Sequence, residues 1–139
     1  MTDTKDYGAE PFVVDIEKDT LDNTNFRTTR WTGHNLQLTL MTIPVGGDIG
    51  LEVHEGNDQF LRLEQGRGRV QIGQSKDNLD YDKEVGDDWA VFVPAGMWHN
   101  ITNIGEEPLK LYAIYGPPDH RHGTVHATQE DSENDPHEH

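Results

Sequence analysis

The 139-residue chain contains no cysteine, which excludes disulfide bridges, thiolate metal sites and cysteine nucleophiles. Basic residues are also scarce, with 11 Lys and Arg against 26 Asp and Glu. The resulting net charge of −15 repels the phosphates of nucleic acids and of anionic membranes. No uncharged run approaches the roughly 20 apolar residues of a membrane helix. We therefore expect neither a nucleic acid nor a membrane as a partner.

The first ten residues lack a cationic region followed by an apolar segment, so a cytoplasmic location is the default expectation. Helical periodicity is also missing over any ten-residue stretch. Short runs that alternate apolar with polar residues, or are rich in β-branched and aromatic residues, predict strands instead. There are eight such runs, at residues 25–31, 35–43, 51–54, 59–65, 69–73, 89–93, 99–104 and 109–115. Clusters of Gly, Pro, Asn and Asp separate them, so the sequence predicts an all-β antiparallel sandwich or closed barrel.

The composition divides the chain into three segments. Residues 1–11 are polar and are expected to form a flexible N-terminal segment. Residues 12–116 form the predicted single-domain barrel, with a further strand candidate at 11–16 and a helical turn or loop at 17–25. Residues 117–139 hold six acids and five histidines but no Leu, Ile, Phe, Tyr or Trp. We expect this acidic, His-rich tail to contribute little to folding, although it could lie over the barrel or over a neighbouring subunit.

Four polar residues of the barrel segment are candidates for a metal site. Glu52 and His54 are two residues apart on a predicted strand, so their side chains leave the same face. Gln59 lies on the apolar face of the next strand, and His99 shares a face with Ile101. Together they offer a mixed set of nitrogen and oxygen ligands, which suits Mn, Fe, Ni or Zn better than Ca or Cu(I). Each residue alone also has an ordinary interpretation, as a solvated strand face, a hairpin residue or a hydrogen-bonded core histidine.

The spacing of these candidates resembles the two motifs of the cupin family. The first motif runs Gly, five residues, His-x-His, three or four residues, Glu, six residues, Gly. This chain matches its spacing with Gly46, Glu52, His54, Gln59 and Gly66. The second motif ends Pro-x-Gly, two residues, His, three residues, Asn, and is matched by Pro94, Gly96, His99 and Asn103. The resemblance covers residues 46–103 and implies a single-domain cupin barrel, that is, a double-stranded β-helix or jelly roll.

The resemblance further implies that Glu52, His54, Gln59 and His99 occupy the four metal-ligand positions of the family. Two of them depart from the common pattern, because Glu52 replaces the first His and Gln59 replaces the Glu. The ligand set therefore keeps one carboxylate, at a different position. Since an amide is a weak neutral ligand, a three-ligand site and a metal-free pocket remain alternatives.

Cupins include isomerases, lyases, dioxygenases, storage proteins and ligand-binding domains, so the fold alone does not determine the activity. The resemblance implies a metal-dependent enzyme of the isomerase, lyase or dioxygenase type that acts on a small oxygen-rich metabolite, such as a sugar derivative or a hydroxyketone. The alternative is a non-catalytic protein that binds a metal or a small ligand such as a sugar. A homodimer is expected in either case, because cupins commonly pair through sheet edges.

Overall fold

The computed structural model describes residues 3–138, which form nine strands and three short helices. The elements in chain order are α1 (Ile16–Asp22), β1 (Arg27–Thr32), β2 (Gln37–Ile43), β3 (Asp58–Gln65), β4 (Gly68–Gly73), β5 (Tyr81–Val85), β6 (Ala90–Val93), β7 (Trp98–Asn103), β8 (Leu109–Gly116), β9 (Val125–His126), α2 (Gln129–Glu133) and a 3₁₀ helix (Pro136–Glu138). One antiparallel sheet has the order β6-β3-β8-β2-β1-β9, and the other has the order β5-β4-β7. None of the helices in residues 3–138 has the length and hydrophobicity needed to cross a membrane.

The core lies between the two sheets, and the alternation of the strands explains why. In β3, Leu61 and Leu63 are fully buried while the residues between and beside them are more exposed. The same alternation in β7 buries Ile101, which packs into the core from the opposite sheet. Burying one face of each sheet against the other stabilises the barrel through the hydrophobic effect. The predicted all-β antiparallel fold is confirmed.

The local structure differs from the prediction at three places, where two predicted strands are missing and one strand was not predicted. The strand expected at 51–54 is reduced to a single bridge between Glu52 and His99. β5 is absent from the prediction because only Val85 of its five residues is buried, so it shows no alternating pattern. The strand candidate at 11–16 does not form. Instead α1 begins at Ile16, because the Asp15 side chain accepts a hydrogen bond from the Lys18 amide at 3.2 Å and caps the helix.

Both terminal segments pack more closely than the sequence predicts. The amide of Tyr7 donates to the Arg30 carbonyl at 2.9 Å, so residues 3–11 lie against β1. In the tail, β9 pairs with β1, and the buried Gln37 accepts hydrogen bonds from the amides of Asp119 and His120. Residues 117–138 are therefore held on the barrel by polar contacts, which an apolar count does not detect. The division of the chain at residues 11 and 116 stays a prediction.

Candidate metal centre

Backbone pairing brings together the two motifs that carry the candidate ligands. The amide of Glu52 donates to the carbonyl of His99 at 3.0 Å, and the amide of His99 donates to the carbonyl of Glu52 at 2.9 Å. A reciprocal pair of this kind places two side chains directly opposite each other on one face. Gly96 fixes the position of the third candidate, His54. The Gly96 amide donates to the His54 carbonyl at 2.8 Å, and Gly96 itself has a φ of +84°. Glycine is favoured at such a φ, which accounts for the glycine of the second motif.

Three side chains converge at this point. The Nε2 atom of His54 lies 3.2 Å from Oε1 of Glu52, and the Nε2 atom of His99 lies 3.5 Å from the same oxygen. One ligand atom from each of the three residues lies within 4.8 Å of the others. Glu52, His54 and His99 can therefore contact one metal ion together.

The other ring nitrogen of each histidine is fixed by a hydrogen-bond acceptor. Nδ1 of His54 lies 3.1 Å from Oδ1 of Asp119, and Nδ1 of His99 lies 3.2 Å from the Met97 carbonyl oxygen. Since a carboxylate and a carbonyl only accept, both Nδ1 atoms carry a proton, and Nε2 is the atom available to a metal. Metal-binding histidines commonly have such a second partner, which fixes the tautomer and the ring orientation.

Three of the predicted ligand atoms are buried without a hydrogen-bond partner among the described residues. These atoms are Nε2 of His54, Nε2 of His99 and Oε1 of Gln59. Buried polar atoms are rarely left unpaired, because each costs the free energy of its desolvation. A metal ion between Glu52, His54 and His99 would satisfy the two imidazole nitrogens, and two imidazoles with a carboxylate form a ligand set suited to a divalent transition metal. The residues present therefore fit the metal that the cupin motifs imply.

Gln59 is buried on the side of the sheet that faces the cluster. Its exposed fraction is 4%, and in the sheet it is in register with Tyr115. The Tyr115 ring contacts the His54 ring edge-on, with 5.6 Å between the centroids. The inward orientation expected from the strand pattern agrees with this burial, whereas the role of Gln59 as a metal ligand stays a prediction.

The cluster strongly perturbs the ionisation of its members. Burial would raise the pKa of Glu52, but the imidazoles of His54 and His99 beside its carboxylate hold that pKa well below its usual range. Burial would lower the pKa of His54, but the carboxylates of Asp119 and Glu52 raise it to about 10. Burial raises the pKa of the Tyr115 hydroxyl, so the phenol stays neutral. Without a metal the His54 ring is therefore protonated at neutral pH, and a metal that binds Nε2 displaces a proton.

A polar cavity of about 490 Å³ lies over the cluster. It is lined by two of the metal candidates, Glu52 and His54, on one side and by the tail and β1 on the other. The residues that define it are Glu52, His54, Asp119, Arg27, His120 and Glu138. The last four are absent from the sequence prediction. The tail lacks the apolar residues that predict packing, and no motif spacing connects Arg27 with it.

Comparison with known proteins identifies the family. The family model described as "Cupin domain" matches residues 39–115, which is more than half of the chain. The "Uncharacterized protein YrkC" of Bacillus subtilis is 57% identical over 128 residues, covering 92% of this chain and 69% of that protein. The chain therefore belongs to the cupin family, as its motifs predict.

Two solved structures extend the comparison. The crystal structure of BH2720 from Bacillus halodurans is 56% identical and has a TM-score of 0.93, covering 94% of this chain and 99% of that one. A protein from Thermotoga maritima described as a predicted oxalate decarboxylase has a TM-score of 0.52 at 22% identity, covering 65% of this chain and 68% of that one. At that identity the likeness concerns the fold alone.

Proposed function

We propose that this cupin is a metal-dependent enzyme that acts on a small oxygen-rich metabolite, with Glu52, His54, Gln59 and His99 as the metal ligands. The observation that carries the proposal is the set of buried ligand atoms without hydrogen-bond partners, two of which lie beside the Glu52 carboxylate. A purely structural cluster of polar residues normally satisfies its own hydrogen bonds.

The surroundings of the cluster support a catalytic role. A divalent metal bound there would supply Lewis-acid polarisation of a substrate oxygen. The protein residues provide the rest: Asp119 orients the His54 ring, Met97 orients the His99 ring, and the cavity admits a small molecule. A site that only stored metal would have no need for a polar cavity of about 490 Å³ above it.

The second candidate function is a non-catalytic protein that binds a metal or a small ligand. The tail favours it, since residues 117–138 lie over the cavity and the Glu138 side chain, 8% exposed, takes up part of it. A charged cavity of this kind is as suited to holding a ligand as to transforming it.

The test begins with elemental analysis of protein purified without added metal. We expect about one divalent transition metal per chain, with His54→Ala and His99→Ala each reducing the content at least tenfold. His34→Ala is the matched control, because His34 is exposed between β1 and β2 and does not belong to the cluster. Circular dichroism verifies that all variants are folded. Undiminished metal in both ligand variants would show that the cluster is not the binding site.

A substrate screen with the metal identified in this way separates the two candidate functions. Conversion of a sugar derivative or a hydroxyketone supports the enzyme, and oxygen consumption during turnover identifies a dioxygenase. Binding without conversion across the screen favours the second candidate. The homodimer, the cytoplasmic location and the lack of nucleic acid and membrane partners remain predictions, which sizing chromatography and localisation of a tagged protein can check.

A further inference from the structure

Arg27 is an arginine buried beside the candidate metal centre. Only 2% of it is exposed, although it lines the cavity. Its Nη1 atom takes three contacts: Ser132 Oγ at 2.8 Å, His126 Nδ1 at 3.1 Å and Glu138 Oε1 at 3.5 Å. Its Nε atom is buried and has no hydrogen-bond partner among the described residues. A guanidinium can bind a carboxylate through two parallel N–H groups, so Arg27 retains donor capacity that the tail does not use.

His120 lies on the other side of the same carboxylate. Its Nδ1 atom lies 2.7 Å from Glu138 Oε1, and its Nε2 atom is buried without a hydrogen-bond partner. The Tyr115 ring stands between the two histidines, with centroid distances of 5.1 Å to His120 and 5.6 Å to His54. His120 is therefore one aromatic ring away from the candidate metal ligands.

Glu138 lies between these two groups. One oxygen, Oε1, faces both Arg27 and His120, and the side chain is 8% exposed. Burial would raise the pKa of Glu138, but hydrogen bonding with His120 and the charge of Arg27 lower it, so the carboxylate is ionised at neutral pH. The Glu138 carboxylate is thus held between one guanidinium and one imidazole, in a cavity whose lining also carries the carboxylates of Glu52, Asp119 and Glu133.

We propose that Arg27 and His120 form a binding site for the carboxylate group of a small molecule, and that Glu138 fills this site in the absence of that molecule. If the proposed function holds, the substrate is a small acid that places its carboxylate here and another oxygen at the metal. The two sites are close enough for this, because Asp119 lies 3.1 Å from His54 and 3.6 Å from His120.

The position of Glu138 implies that the tail competes with a ligand carboxylate for Arg27. The tail reaches the site through β9 and α2, and Asp135 holds the His126 ring at 2.9 Å while His126 contacts Arg27. A tethered carboxylate competes with a free one at an effective concentration of the order of millimolar. An incoming acid must therefore displace Glu138 before it can contact Arg27.

The experiment measures binding of malonate and acetate to the full chain by isothermal titration calorimetry, with glycerol as a neutral probe. Glu138→Gln removes the competing charge, and we expect it to bind malonate about tenfold more tightly than the wild type. Glu130→Gln is the matched control, because Glu130 is exposed on α2 and the change in net charge is the same. Equal or weaker malonate binding by Glu138→Gln would overturn the inference.

A second variant tests Arg27 directly. In the Glu138→Gln background, Arg27→Lys should remove the gain in affinity, because a single ammonium cannot donate two parallel hydrogen bonds. Arg67→Lys, at an exposed arginine, should leave it unchanged. If Arg27→Lys does not fold, the comparison of Glu138→Gln with Glu130→Gln still decides the inference.

The same titration in His99→Ala separates this inference from the proposed function. Malonate binding that persists without metal supports the Arg27 site. Acetate has one carboxylate and no second oxygen group for the metal, so acetate binding that disappears with the metal means that the carboxylate contacts the metal, which overturns the inference and leaves the proposed function intact. If the protein never holds metal and Glu138→Gln still binds malonate more tightly than the wild type, the proposed function is refuted and the carboxylate site is supported.

Discussion

Replacing Asp119 should weaken metal binding although its carboxylate does not belong to the ligand cluster. Oδ1 of Asp119 lies 3.1 Å from Nδ1 of His54, and this contact turns Nε2 of the ring toward Glu52. The residue is in the tail, far in sequence from the cupin motifs. Its effect on metal binding therefore tests whether the tail is part of the site or only lies over it.

The magnitude follows from the geometry. Partners of metal-binding histidines are typically worth 10- to 100-fold in metal affinity, or about 1.4–2.7 kcal/mol. The Asp119 side chain is 25% exposed, so solvent screens part of its charge. We expect Asp119→Asn, whose amide oxygen can still accept from Nδ1, to lose about tenfold and Asp119→Ala to approach 100-fold.

The assay is competition for Zn²⁺ between each variant and a chromophoric chelator at fixed pH. Asp77→Asn, at an exposed turn residue, removes the same charge at a distance and serves as the control. The expected order of affinity is wild type and Asp77→Asn, then Asp119→Asn, then Asp119→Ala, with His54→Ala lowest. If Asp119→Ala holds Zn²⁺ as tightly as the wild type, then Asp119 does not orient a ligand and His54 does not bind through Nε2.

Three further predictions concern other parts of the chain. Gln59→Glu adds a negative ligand, so metal should bind at least as tightly while turnover of any substrate found in the screen falls; unchanged values for both would remove Gln59 from the site. The pKa of Asp6 is lowered, because hydrogen bonds from Thr32, Gly123 and Gly8 outweigh the effect of its burial. The Asp6 carboxylate therefore stabilises the fold above its unfolded pKa of about 3.9, and this stabilisation is lost as the pH falls through its folded pKa. The difference in Tm between the wild type and Asp6→Asn should shrink below about pH 4. A difference in Tm that stays constant with pH would contradict this. Deleting residues 117–139 should lower Tm by several degrees, since it removes the partners of buried Gln37, and an unchanged Tm would support the smaller role that composition predicts.

The fold could be predicted wherever one strand face is buried and the other is not. In β3 the buried Leu61 and Leu63 alternate with polar residues, and such alternation is typical of a strand with one buried face. β5 could not be found, because a strand exposed on all but one residue carries no hydrophobic period. α1 is longer than the helical turn expected at 17–25, and its Asp15 cap is a polar feature that apolar content does not indicate.

The candidate site was predictable to the extent that it is local in sequence. Glu52, His54 and His99 lie in two motifs whose spacing is visible, and the structure brings these three together. Asp119 and Glu138 reach the cavity only because of the path that the tail takes over β1, and that path is determined by polar pairs such as Gln37 with His120. Pairs of this kind have no period in the sequence.

Because the contacts of the tail are polar, its release from the barrel responds differently to temperature, denaturant and salt than the unfolding of the barrel does. Because residues 117–139 contain no Leu, Ile, Phe, Tyr or Trp, their release from the barrel exposes little apolar surface. The change in heat capacity and the denaturant dependence of that step are therefore small. The ion pair of Glu138 with Arg27 instead makes the step sensitive to ionic strength. The heat-capacity change and the urea dependence of unfolding thus report on the barrel, while salt concentration reports on whether the cavity is open.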